Sequence, residues 1–213
     1  MPRLVEDQLN INMPGAWNTA ILTPDWFRRQ FPDWFREKEF QVQFLQSTQI
    51  GALVRFKFER VLIEPSSTQL IIRPVDAEGE DLNFTSELAA AIVRKLEHTP
   101  ILAVGHNVHF EIAENEAFAI EKFVNDEGLN GFYESIGLKH RQNYYRHSFS
   151  FEDHNLNITY DGIHVRRQIA FNFHYPTAVP EKIEQALMNF SEDFKQAKKY
   201  ANELIGEKND DNS

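Results

Sequence analysis

Hydrophobic and polar residues alternate along much of the chain, and the period changes at recognisable stop signals. Residues 39–46 set Phe40, Val42 and Phe44 against glutamines, the period-two pattern of a half-buried strand. Residues 51–64 put Val54, Phe56 and Phe58 on one face and Arg55, Lys57 and Glu59 on the other, which predicts one long strand. Beyond the turn signal Pro65-Ser66-Ser67-Thr68, residues 69–75 predict a returning strand. An earlier strand is expected at residues 17–22. Thr23-Pro24-Asp25 then reads as a cap followed by proline at the first helical position, and Pro32 must break or restart that helix. Residues 76–81 form a polar, acidic loop. Residues 85–98 predict a helix with Leu88, Ile92 and Leu96 on one face and Pro100 as its stop.

A similar order follows in the second half. Residues 101–113 predict a strand. Asn115 caps a helix expected to end at Gly128, and a short helix is expected near 130–136. Strands follow at 139–152, 155–160 and 163–175, with Asp161-Gly162 as a tight-turn signal between the last two. Pro180 opens a long C-terminal helix reaching to about residue 205. Residues 206–213 are charged and polar, carry no core residues and read as a disordered tail.

The predicted fold class is therefore α+β: an antiparallel sheet covered by helices on one face. Residues 1–205 are expected to form a single body of two strand–helix–three strands–helix halves, near 16–99 and 100–205. The repeat is one of element order, and the halves share no evident residue identity.

Composition narrows the functions available. The chain has 213 residues, 18 Phe, 6 Tyr and 3 Trp, enough apolar material for a core without staples. It has no cysteine, which excludes disulfides, thiol nucleophiles and cysteine metal sites. With no long apolar run and no apolar stretch at the N-terminus, the expected location is cytoplasmic. The net charge of −10 argues against a nucleic-acid binder. Basic residues nevertheless concentrate in the predicted strands, and the acidic excess lies outside them.

Three segments stand out as candidate interaction sites. Pro24-Asp25-Trp26-Phe27-Arg28 is echoed by Pro32-Asp33-Trp34-Phe35-Arg36. Trp26, Phe27, Phe31, Trp34 and Phe35 are either one wall of the core or anchors for a partner, since Trp and Arg are enriched at interface hot spots. In the last helix, Ile183, Leu187, Phe190, Phe194, Ala197, Ala201 and Leu204 recur at steps of four and three. That stripe either packs on the chain's own sheet or forms a homodimer seam. The third segment is the polar face of the sheet. On the last strand Ile163, Val165, Ile169, Phe171, Phe173 and Tyr175 fall on one face, and His164, Arg166, Gln168, Asn172 and His174 on the other. Arg55, Lys57, Arg146, His164, Arg166 and His174 are the candidates for holding an anion there.

Eight histidines raise the question of a metal. His106 and His109 form H-x-x-H, but residues three apart on a strand face opposite ways unless Gly105 marks a bulge. His164 and His174 would lie roughly 33 Å apart. No metal site and no cofactor are expected, and His106 reads as a hydrogen-bonded core histidine. Phosphate-loop, nucleophile-elbow, zinc-protease and dinucleotide motifs are absent. Asp193-Phe194-Lys195 sits in a helix rather than on a strand, so it does not complete a nuclease-like set with Asp25 or Asp33. Glu78, Glu80 and Asp81 solvate a loop. The expected function is a non-enzymatic protein-interaction module, such as an adaptor, an inhibitor or an antitoxin-like subunit. Two alternatives are a binder of a small anion or nucleic-acid strand on the polar sheet face, and an enzyme whose site leaves no local motif.

Overall fold

The computed structural model describes residues 2–47, 51–113, 144–163 and 166–205. The helices expected at 115–127 and near 130–136, the tail at 206–213 and His164 lie outside the described residues. The strands are β1 (Arg3–Leu4), β2 (Asn10–Pro14), β3 (Gln41–Ser47), β4 (Gly51–Lys57), β5 (Val61–Pro65), β6 (Gln69–Pro74), β7 (Val104–Ile112), β8 (Tyr144–Ser150), β9 (Asn155–Ile163) and β10 (Arg166–Tyr175). The described helices are α1 (Pro24–Gln30), α2 (Pro32–Phe35), α3 (Gly79–Lys95), α4 (Pro180–Met188) and α5 (Phe190–Ile205).

The strands form one 10-stranded antiparallel sheet in the order β3-β4-β5-β6-β2-β7-β10-β9-β8, with β1 on β7 beyond the end of β2. β2 and β7 join the two groups through Asn10↔Asn107, Ile11↔His106 and Asn12↔Gly105. From that junction β6, β5, β4 and β3 run outward on one side, and β10, β9 and β8 on the other.

Strand alternation sends Ile11, Met13, Ile63, Leu70, Ile72, Val108, Phe110, Phe171 and Phe173 to one face, each 0–2% exposed. The helices cover that face. α3 packs on β2, β5 and β6, and α5 on β7 and β10. The C-terminal stripe is consumed here: Ile183, Leu187, Phe190, Phe194, Ala197 and Ala201 are all buried, and Leu204 packs against the same core. The expected single helix is two, separated at Asn189.

Other boundaries differ from the sequence reading for physical reasons. Residues 17–22 are not a strand. β2 takes the ladder position between β6 and β7, and Trp17 and Leu22 plug the core from an irregular segment. Trp17 is fixed there by Nε1 donating to the Met13 carbonyl at 2.9 Å. The expected long strand at 51–64 is a hairpin, closed by Phe58 N–H donating to Val61 O at 2.9 Å. Its apolar pattern hid the turn because Phe58 and Val61 are both buried. β9 runs through Asp161-Gly162 and pairs Ile163 with Arg166, so the reversal lies beyond that dipeptide. α3 opens at Gly79 rather than at 85. Thr85 and Ser86 are buried within it, their hydroxyls donating to the Asp81 and Leu82 carbonyls.

α1 and α2 form where the prolines and a cap dictate. Thr23 Oγ1 accepts from Trp26 N–H at 3.3 Å, and Pro24 and Pro32 open the two turns. Phe27 meets Phe35 and Phe58 at centroid distances of 6.1 Å, and Phe35 meets Phe58 at 4.4 Å. Trp34 is only half-buried, stacked on Phe31 at 5.6 Å. Phe27→Ala therefore should cost about 3–5 kcal/mol. Trp34→Ala should cost clearly less, and urea unfolding of the two variants checks the order.

Candidate functional site

Among the described residues, every helix lies on the Ile11 face of the sheet. The opposite face carries polar side chains from nearly every strand. Its centre is a row of amides linked across five strands. Ser148 Oγ donates to Asn157 Oδ1 at 2.8 Å, Asn157 Nδ2 to Asn172 Oδ1 at 3.0 Å, and Asn172 Nδ2 to Asn107 Oδ1 at 2.9 Å. Asn107 Nδ2 then donates to Asn10 Oδ1 at 2.9 Å, and Asn10 Nδ2 to the Gln8 carbonyl at 3.0 Å. Each member sits directly opposite the next in the strand register. All bonds run in one direction, so each polarises the next. Every amide still holds a second N–H and a second carbonyl lone pair. Asn10 and Asn157 are 8% exposed, so Asn107 and Asn172, which are half-buried, are the members placed to bond outward.

Gly105 makes room for this row. It pairs regularly with Asn12 and His174, without a bulge, and a Cβ there would stand 3.3 Å from Asn172 Nδ2. With no bulge, His106 and His109 face opposite ways. His106 is 0% exposed on the helix side, and His109 is half-buried on the open face.

Beside the amide row lies a groove of about 300 Å³ lined by His109, Arg146, Asn157, Thr159, Asp161, Gln168, Ala170 and Asn172. Its floor is the next cross-strand row, Arg146↔Thr159↔Ala170↔His109. Thr159 and Ala170 are short and lie between the longer Arg146 and His109, which leaves a depression in the face. Burial pushes the His109 imidazole below its ordinary value of 6.5, with Asp7 opposing and Arg73 adding to the shift. His109 is therefore neutral at pH 7. Arg146 is exposed and forms no ion pair among the described residues.

On the helix side, a cleft of about 810 Å³ lies between the β8–β9 turn, the end of β10 and α4. His154 Nδ1 and Asp153 Oδ1 are 2.7 Å apart at its edge. His154 is stacked between Phe151 at 4.7 Å and Tyr175 at 5.1 Å. Below it, Asp193 of α5 accepts from Tyr175 OH at 2.8 Å and lies 2.6 Å from His106 Nδ1. His106 is the core histidine the sequence led us to expect. Its other nitrogen, Nε2, is buried and has no partner among the described residues. Burial and the Asp193 carboxylate push the Tyr175 phenol above its ordinary 10.0, so it stays a donor.

The other sequence candidates are dispersed. Trp26, Phe27, Phe31 and Phe35 are 8%, 0%, 7% and 2% exposed, so those rings belong to the core wall. Arg55 and Lys57 share the open face with Arg146, but the seven strand spacings from β4 to β8 separate them by roughly 34 Å. Arg55 is paired with Glu64, which also accepts from Arg73 Nε at 3.0 Å. His174 is half-buried on the open face, on the far side of Asn172 from the groove. Arg166 lies in β10 opposite Ile163. No group of three metal-ligating side chains occurs among the described residues, and none of the described helices is long and apolar enough to cross a membrane. The amide row was missed in the sequence. Its only signal is an asparagine at matching strand positions, which has no meaning until the register is known.

No protein-family model matches the chain, and no curated protein matches it in sequence. The fold and the open face define a class only: an α+β protein with one helix-covered and one polar sheet face.

Two pH effects follow. His109 favours its neutral form in the fold, so its contribution to stability is present above pH 6.5 and lost as pH falls below it. His109→Gln should flatten the thermal midpoint between pH 7 and pH 5 in calorimetry. Tyr175 keeps its proton in the fold while the unfolded chain loses it above 10.0, so stability should fall with rising pH there. Tyr175→Phe should be less stable at neutral pH, with a shallower alkaline decline.

Proposed function

We propose that the protein is a non-enzymatic binding module that docks another protein on the open face of its sheet. The observation that carries this reading is the amide row. Five strands are registered so that neutral hydrogen-bonding groups stand in fixed orientation on a face that no described helix covers. Fixing such groups in advance reduces the ordering cost of association. Four of the five aromatic rings that competed for this role are buried and Trp34 is half-buried, which favours the sheet face.

The face is also a poor match for a nucleic-acid backbone. Arg55 and Arg73 share Glu64, and Arg3 pairs with Glu111. Among the described residues, few cations on this face remain to neutralise a run of phosphates. An adaptor, inhibitor or antitoxin-like subunit fits these properties.

The test compares tagged wild type with Ser148→Lys and Thr159→Lys, each purified gently from its own cells and weighed by native mass spectrometry. We expect a stoichiometric protein on the wild type, lost from both variants while their melting temperatures hold. Retention by both variants, or no protein on the wild type, would refute the proposal.

A second reading has one observation in its favour. The Asp153–His154 hydrogen bond at the rim of the larger cleft resembles a general base with its orienting carboxylate. On that reading an activity would exist and His154→Ala would abolish it, while Ser148→Lys would leave it intact.

A further inference from the structure

We infer that β3 is a homodimer edge: two copies of this chain pair their β3 strands antiparallel about a twofold axis and continue the sheet from one copy into the other. β3 lies at the opposite end of the strand order from β8, and the inference stands independently of the open-face reading. Three observations carry it.

The first is the edge itself. Among the described residues β3 has one strand neighbour, β4, and it pairs with β4 at every position from Gln41 to Ser47. The outward N–H and C=O groups of such a strand are a template for another strand, and proteins ordinarily blunt the edge with charge or proline. The opposite edge, β8, carries Arg146 and His147, and Glu152 and Asp153 follow it. β3 carries neither charge nor proline. Residues 40–54 hold no charged side chain, in a chain of net charge −10. Two copies can therefore approach at this edge without bringing like charges together.

The second is apolar surface beside that edge. Val42 and Phe44 stand opposite Phe56 and Val54 of β4, on the helix-covered side of the sheet. Phe56 is 7% exposed, whereas Val42 is 42% and Phe44 77% exposed. The apolar alternation thus continues outward past the cover that the helices supply.

The third is self-complementarity, which selects a second copy as the occupant. With the axis at Gln43, Val42 of each copy stands opposite the second copy's Phe44. An aromatic and a β-branched residue directly opposite each other form a favourable cross-strand pair. On the other face Gln43 meets its own counterpart, and a primary amide carries both donors and an acceptor, so it pairs with its own kind. The axis uses β3 of both copies, so the assembly closes at two and leaves β8 at each outer end. One strand from each copy buries little area, which places the affinity at roughly micromolar.

The experiment is sedimentation equilibrium of the full-length wild type from about 5 to about 500 µM, beside Phe44→Lys and Met188→Lys. Met188 is an exposed apolar residue on α4 and serves as the control. Amide exchange of the wild type is followed by mass spectrometry at both ends of that range. We expect the wild type and Met188→Lys to double in mass with rising concentration, and Phe44→Lys to stay monomeric with an unchanged circular dichroism spectrum. In the wild type, exchange should slow in the β3 peptide at high concentration and stay the same in the β8 peptide. A wild type monomeric throughout, growth past a dimer, dimerisation of Phe44→Lys, or protection of β8 in place of β3 would overturn the inference. The exchange measurement needs no variant, so it decides the matter even where Phe44→Lys fails to fold. Ser148→Lys should dimerise normally, which keeps this result separate from loss of a partner on the open face.

Discussion

The pairing of β2 with β7 holds the molecule together as one sheet. It spans only Asn10↔Asn107, Ile11↔His106 and Asn12↔Gly105, yet every other strand is reached from it. A register slip of one residue here would exchange the faces of one group relative to the other. With β7 held in place, Ile11 would then turn away from the helices and Asn10 would enter the core. Burial of Ile11 and Val108 on one side and the Asn107–Asn10 bond on the other select the same register. That agreement between apolar packing and polar pairing defines a single arrangement.

The two faces do different work because of that junction. On the helix side, Asp193 ties α5 to β7 through His106 and to β10 through Tyr175. A carboxylate that is 5% exposed is tolerable only with such partners. On the other side, the amide row crosses the same junction without needing a charge. Gly105 pairs in register within the β2–β7 ladder and leaves space for Asn172 on the open face.

Much of this architecture was legible in the chain. The α+β class, the single covered face and the alternation of Ile169, Phe171, Phe173 and Tyr175 follow from residue period alone, and the structure has them. His106 was readable as core because its strand neighbours at period two are apolar. Boundaries failed where a local signal was overridden by tertiary context. Asp161-Gly162 is a turn dipeptide, but continued pairing with β10 holds it in a strand. Residues 76–81 read as an acidic loop, but α3 already opens at Gly79 within it. The site was the least legible part. Arg146 could be singled out, but Arg55 and Lys57 could not be known to lie at the far side of the sheet. The amide row joins residues up to 97 positions apart, so it depends on strand order, which alternation does not encode.

A sheet with one face covered by the described helices and the other preorganised leads to one central proposal: the face left open among the described residues is where the protein meets a partner. Covalent surface footprinting tests it most directly, comparing the purified protein with the assembly recovered from its own cells. The account predicts that labelling falls in the assembly at Arg146, Ser148 and Thr159 and is unchanged at Lys182, Met188 and Lys195 on the helix side. Protection of the helix side, with the open face labelled equally in both samples, would contradict it.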